Sequence, residues 1–440
     1  MLHQHPTAVA HRSLAPRTPP RSLDAARLRQ VLIDAGADDA AAISLSREEL
    51  DEERPHALGA LPGARTLVSF CLRMNHDQLR SPARSLANNE FHHTGEAVDE
   101  IARRAVRTLQ ELGLRAVAPA MGFPMEMDAF PGRTWVISHK RVAVAAGLGA
   151  MGIHRNVIHP RFGNFILLGT VLLDREVASP AEPLDFNPCL ECKLCVAACP
   201  VGAISPDGEF AFSACYTHNY REFMGGFTDW VEELADSRDA ADYRERVSDS
   251  ESASMWQSLS FGANYKAAYC MAVCPAGVDV IAPFLDDRGE FLRRVVQPLK
   301  DKVEPLYVVP GSDAEAHAKK RFAHKRTRAV HSGLRPGSVQ GFALGLPLVF
   351  QKQAAGDLDA VYHFEFSGAE VSTLTVVIRA GKLEVEQGLI GTPDLLVRAD
   401  ARAWIRFLRG ELGILRALLT RKVRLRGPAR LLRAFGRCFV

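Results

Sequence analysis

Residues 188–204 read PCLECKLCVAACPVGAI, and their spacing decides how the centre of this chain is understood. Cys189, Cys192, Cys195 and Cys199 follow C-x2-C-x2-C-x3-C-P. A thinner fragment, YKAAYCMAVCPAG at 265–277, repeats only the end of that pattern, and Cys215 lies between the two. Seven of the nine cysteines of the 440-residue chain thus fall between 189 and 274. Clustering of this kind, without an apolar secretion segment, indicates metal or redox work rather than disulfides. Cys71 and Cys438 stand apart and read as small buried or surface residues.

The four-cysteine run matches the one that holds iron–sulfur clusters in bacterial ferredoxins, where three cysteines bind one cubane and the fourth crosses to another. Short C-x2-C steps wrap the chain around a cluster corner by corner, with backbone amides facing the sulfurs. The proline then fixes the outgoing direction. A zinc knuckle, the competing reading, pairs two C-x2-C units instead. The crossing rule makes Cys274, followed by Pro275, the fourth ligand of the cluster at Cys189, Cys192 and Cys195. Cys199 then joins Cys215 and Cys270 at a second cluster. A regular second run needs a cysteine at 267, where the chain has Ala267. That site is one thiolate short. It is open between a [3Fe–4S] cluster, a [4Fe–4S] cluster completed by Tyr265, Tyr269, His218 or water, and a labile or absent cluster.

The rest of the chain is ordinary in composition. A net charge of +3, with 47% hydrophobic and 24% charged residues, describes a soluble globular protein and points to neither nucleic acid nor membrane. No run of 18 apolar residues occurs, so no transmembrane helix is expected. Residues 1–22, with three Arg, four Pro and no acid, read as a disordered tail, and the chain as cytoplasmic. From Ser22, a plausible N-cap, an amphipathic helix runs to Gly36. Helices and strands then mix through 23–185, and the cysteine-rich module occupies 186–300. Residues 301–337 read as a basic linker whose cations are solvated or, on a weaker reading, touch phosphates. From 338 to 440, alternating strands such as LDAVYHFEFSG and TLTVVIRAGKLEVEQG, with helical segments after them, make a compact α+β domain.

VAVAAGLGAMGIHRNVIHPRFGNFILLGTVLLD, followed by DFNPCLECKLCVAACPVGAI, resembles the epoxyqueuosine reductase and reductive dehalogenase superfamily over about residues 23–300. The final segment resembles the sterol carrier protein type-2 domain through GDLDAVYHFEFSG, PDLLVRADARAWIRFLRGE and ALLTRKVRLRG. Together these imply an α+β chain with three parts. They are a nitroreductase-like domain of the corrinoid-binding type, a two-cluster ferredoxin-like module, and a sterol-carrier-like domain with an apolar tunnel.

The first resemblance further implies cobalamin, with Gly147, Gly149 and Gly152 allowing close approach of the corrin. His154, Arg155 and Asn156 are its candidate polar contacts. Two departures stand out. The family's proton-donating Asp corresponds, on ungapped counting, to Arg133, with Asp128 nearby but out of register. The other departure is Ala267. The resulting expectation is an iron–sulfur oxidoreductase passing electrons from a low-potential donor to a corrinoid, or directly to a small hydrophobic substrate. A lipid or similar molecule in the C-terminal domain is a possible partner. Transfer RNA is disfavoured, because the family's RNA-binding C-terminal part is replaced. The alternatives are an epoxyqueuosine-type tRNA-modifying reductase and a non-enzymatic electron carrier or cobalamin-handling protein.

Overall fold

A computed structural model describes residues 2–14, 20, 22–120, 122, 125, 135–332 and 334–439. Thr66–Arg73 is buried at every position from Thr66 to Cys71, as expected of an apolar strand covered on both faces. It pairs antiparallel with Asp39–Ser44 on one side and with Ile166–Leu173 on the other. Ala116–Val117 completes this four-stranded sheet. Helices Ala25–Ala35 and Arg84–Glu111 bury Leu28, Leu32, Val98 and Ile101 against Val68, Phe70 and Val171 on one face. The short helix His139–Ala145 packs Val142 and Ala145 against Leu67 and Leu172 on the other.

The first helix starts two residues later than expected. Asp24, not Ser22, is the N-cap, its carboxylate accepting from the amide of Ala26. Ser22 is held extended because Ser22–Asp24 pairs in parallel with Glu176–Ala178. The opening tail also departs from expectation. Pro6–Ser13 is helical, with His5 accepting from the amide of Thr7, but it buries no side chain.

The segment read as a basic linker is part of a core. Pro305–Val308 and Arg326–Ala329 pair in parallel, and helix Asp313–Arg321 lies between them in the chain. Val308 and Ala314 pack in the same cluster as Cys195 and Cys199. Lys325 is buried beside Glu304 at 2.7 Å, and Arg328 bonds Glu251 and Glu233. Counting charges along the chain could not reveal that Lys325 faces Glu304 of the same segment, or that Arg328 faces carboxylates of the cysteine-rich segment. Lys325 is therefore internal, and Arg328 is half-buried in ion pairs.

The C-terminal sheet has five strands, in the spatial order Lys382–Gln387, Ser372–Arg379, Ala360–Ser367, Leu395–Asp400 and Val423–Arg426. Its central pair, Ala360–Ser367 with Leu395–Asp400, is parallel. Trp404, Phe342, Phe364 and Phe366 pack on it with ring centroids 5.5–6.1 Å apart. Trp404 is 1% exposed. Trp404→Ala is expected to destabilise this sheet by about 3–5 kcal/mol. Hydrogen exchange should show lost amide protection across Ala360–Ser367, while the visible absorbance of the cluster-loaded protein stays unchanged.

Candidate iron–sulfur centre

Local geometry explains how two short cysteine segments present their thiols. Lys193 adopts a left-handed conformation (φ 61°) immediately before helix Leu194–Ala198, which contains Cys195 and delivers Cys199 at its C-cap. Ala268 does the same (φ 46°) before helix Tyr269–Ala272, which contains Cys270 and leads to Cys274. The two turns are repeats of one another. Their superimposed order places Cys195 with Cys270, Cys199 with Cys274 and Cys192 with Ala267. The missing thiolate of the second segment is thus a substitution within an intact turn. The amides of Ala267 and Ala268 both donate to Asn219 Oδ1 at 2.9 Å, which holds that turn in shape.

Cys189, Cys192, Cys195 and Cys274 line one small pocket. This brings together the crossed set expected from spacing. Desolvation pushes the thiol of Cys274 up to about 12, and the nearby Cys192 and Cys189 push in the same direction. Cys195 is raised by burial and by its neighbours Cys270, Cys274 and Cys192. Crowding and desolvation favour the protonated thiols, and the positive charge of a bound cluster is what would displace those protons and allow ligation as thiolates. The cavity's donor set fits a cubane: four sulfurs, no competing carboxylate ligand pair, and an apolar wall of Ile153, Leu190 and Ala276. Among the described residues, no three His, Cys, Asp or Glu side chains converge as ligands of a single ion would.

Cys199, Cys215 and Cys270 form the second set. Cys215 is pushed up by burial and then by Cys270 and Cys199, and Cys270 is raised to about 12 by burial and Cys199. The amide of Ala203 donates to Cys199 Sγ at 3.3 Å. Cys270 also influences Cys195 and Cys274, so the two sets adjoin. Of the side chains considered for the vacant corner, Tyr269 is engaged elsewhere, whereas His218 Nε2 is buried without a hydrogen-bond partner among the described residues. Tyr269 donates to Glu304 at 2.8 Å, and Tyr265 packs among Phe91, Tyr220 and Phe223. His218 accepts from the amide of Tyr307 through Nδ1. Cys71 and Cys438 are buried away from both sets, Cys438 donating to the carbonyl of Ala434.

The residues considered for a corrinoid are placed differently. At Gly147 (φ 68°) a Cβ would stand 2.0 Å from the carbonyl oxygen of Glu182. At Gly149 and Gly152 it would strike Val157, Ile158 or His154. These glycines admit neighbouring chain rather than a ligand. His154 is 4% exposed, accepts from the amide of Asn156 and lines the first thiol cavity. Burial lowers its pKa to about 4, so it is neutral there. Among the described residues, the Cβ side of each of these glycines is occupied by neighbouring chain. Arg133 and Asp128 lie outside the described residues.

Sequence reading missed Lys140, which no motif marks. Its ammonium donates to the carbonyl of Arg155 at 2.7 Å and to Asn156 Oδ1 at 3.0 Å. Asn156 Nδ2 in turn lies 4.0 Å from Cys270 Sγ. Solvent reaches Lys140, yet surrounding chain desolvates it and lowers its pKa, an effect opposed by Cys270 and Cys215.

A family model described as a 4Fe-4S binding domain matches residues 183–205. The chain carries an iron–sulfur segment. A second model, the SCP-2 sterol transfer family, matches residues 350–440. The chain is 32% identical over 154 residues to an epoxyqueuosine reductase of Synechococcus sp. (strain CC9605), covering 33% of this chain and 42% of that protein. It thus spans about two fifths of the length of that curated relative. A solved epoxyqueuosine reductase with a modified tRNA stem loop superimposes with a TM-score of 0.35 at 14% identity, covering 68% of this chain and 81% of that one. A catabolic reductive dehalogenase in complex with 3-bromo-4-hydroxybenzoic acid gives 0.37 at 15% identity, covering 68% and 37%. The expectation that disfavoured transfer RNA is corrected by these matches: the curated relatives are epoxyqueuosine reductases, and one such reductase has been solved with a tRNA stem loop. A replaced C-terminal part says nothing about recognition by the remaining surface. Among the described residues, no helix is long and apolar enough to cross a membrane.

Cys274→Ser should lose about half of the bound iron after anaerobic purification, whereas Cys438→Ser should lose none. Ala267→Cys supplies a thiolate at the place matched to Cys192. It should bring the chain to about eight irons and abolish any oxidised-state three-iron signal in electron paramagnetic resonance.

Proposed function

We propose that this chain is an iron–sulfur reductase with two adjoining clusters, one at Cys189, Cys192, Cys195 and Cys274 and one at Cys199, Cys215 and Cys270. The observation that carries the reading is the crossing itself, because Cys274 lines the cavity of the first three thiols. When bound, the clusters supply stepwise one-electron transfer from a low-potential donor. The protein's own part is to hold the sulfurs, to aim the amide of Ala203 at Cys199, and to shield the first site with Ile153, Leu190 and Ala276. Residues 186–300, together with the strand pair and helix of 301–337, would act as one electron-transfer unit.

The substrate class we favour is an epoxide-bearing modified nucleoside in tRNA, supported by the names of the curated relatives. Cobalamin is left out of the proposal because the glycines considered for it are filled by neighbouring chain. A second reading draws on the SCP-2 match at 350–440, in which that domain presents an apolar small molecule for reduction.

The test is anaerobic turnover of the cluster-loaded full chain with a low-potential donor and tRNA bearing epoxyqueuosine, with nucleosides read by mass spectrometry. Conversion that disappears in Cys215→Ser supports the first reading, with or without added cobalamin deciding that cofactor's part. No conversion, together with an apolar compound recovered by solvent extraction and reduced by the same system, would favour the second.

A further inference from the structure

Resting on the two-cluster reading above, we infer that Lys140 is a positioning residue that raises the affinity of the second cluster for an electron. The structure connects it to that site by a short chain of contacts. Lys140 Nζ donates to Asn156 Oδ1 at 3.0 Å, and the other end of the same amide reaches Cys270 Sγ at 4.0 Å. The carbonyl of Arg155, at 2.7 Å, gives the ammonium a second anchor. Arg155 itself sits in a left-handed conformation (φ 62°), which turns this carbonyl toward the lysine. Asn156 is therefore fixed at three points: its amide N–H by His154 Nδ1, its side-chain oxygen by Lys140, and its side-chain nitrogen beside the thiol.

The first thiol site has a different cation beside it: Arg80 donates to the carbonyl of Ala272 and interacts with Cys274. The lysine in its wall, Lys193, directs its ammonium to the carbonyl of Pro206 at 2.6 Å and lies near Glu191. The link from Lys140 to Cys270 has a physical consequence. One-electron reduction of a bound cluster by a low-potential donor adds one negative charge and moves no proton. A fixed positive charge nearby stabilises the reduced form more than the oxidised one, and poor solvation increases the difference. With Ala267 in place of a fourth thiolate, the second site also carries one anionic ligand fewer. Both features raise the second cluster's affinity for an electron, and Lys140 is the part that side-chain substitution can isolate.

The measurement is a redox titration of the cluster-loaded full chain, followed by electron paramagnetic resonance, with iron and sulfide counted in every sample. Lys140→Gln should lower the reduction equilibrium constant of the second cluster by about tenfold, a shift of about 59 mV for one electron. Lys140→Arg should restore it, and the first cluster's midpoint should not move in either variant. A merely structural lysine would not give charge-specific rescue. Equal midpoints in the wild-type protein and K140Q, with both clusters present, would overturn the role of Lys140 while leaving the two-cluster reading intact. A wild-type protein holding only about four irons would overturn both. Should K140Q lose its second cluster, Lys140→Met carries the test, since it removes the charge and keeps the length of the side chain. A lowered midpoint then supports the assignment and an unchanged one refutes it.

Discussion

The fold of the central region depends on closing a cavity with sulfurs from both ends of a long excursion. Cys189, Cys192 and Cys195 come from one turn, and Cys274 arrives from a second turn after the helices of 212–261 have intervened. For this closure the second turn must be held in register with the first by something other than the metal. The helices near the N-terminus do so. Asn88 exchanges hydrogen bonds with the backbone of Tyr265, and Arg80 donates to the carbonyl of Ala272. Beyond Cys274, the amides of Val278 and Asp279 donate to the carbonyls of Pro160 and Arg161. The second cysteine segment is thus clamped on both sides before any cluster binds, so the sulfurs meet without a large further loss of chain entropy.

Long excursions need their own internal support, and here it is ionic. Arg221 is fully buried among Asp229, Glu233 and Glu251, and Arg328 from the later strand pair shares the last two. Glu222 accepts from Ser258, Asn264 and Lys266. A buried cation that loses its partners is costly, so these groups tie the excursion and the strand pair of 305–329 into one arrangement. The same arrangement buries Lys325 and pairs the half-buried Arg328 with two carboxylates.

The C-terminal domain obeys simpler rules. Alternating strands, followed by helical segments, are readable locally, and the structure forms them; the cap of helix Ala401–Leu408 by Asp400 is seen only in the structure. The filling of its interior by Trp404 and three phenylalanines also needed coordinates, because aromatic residues on one strand face do not say which helix covers them.

The spacing of the cysteines by itself pointed to the proposed ligand sets, the crossing of Cys274 and the missing thiolate at Ala267, because cluster geometry constrains neighbouring ligands through chain length alone. Periodicity likewise indicated mixed helices and strands through 23–185. What the sequence could not decide were relations between distant segments. It could not show that glycines 147, 149 and 152 make room for residues 157, 158 and 182, or that His154 belongs to the first thiol cavity. Nor could it show that Lys325 of a linker-like basic run is buried against Glu304, or that Lys140 stands beside Cys270 through Asn156. Each of these is set by packing between segments far apart in the chain, where side-chain type fixes what a contact can do but only the tertiary structure fixes which contact is made.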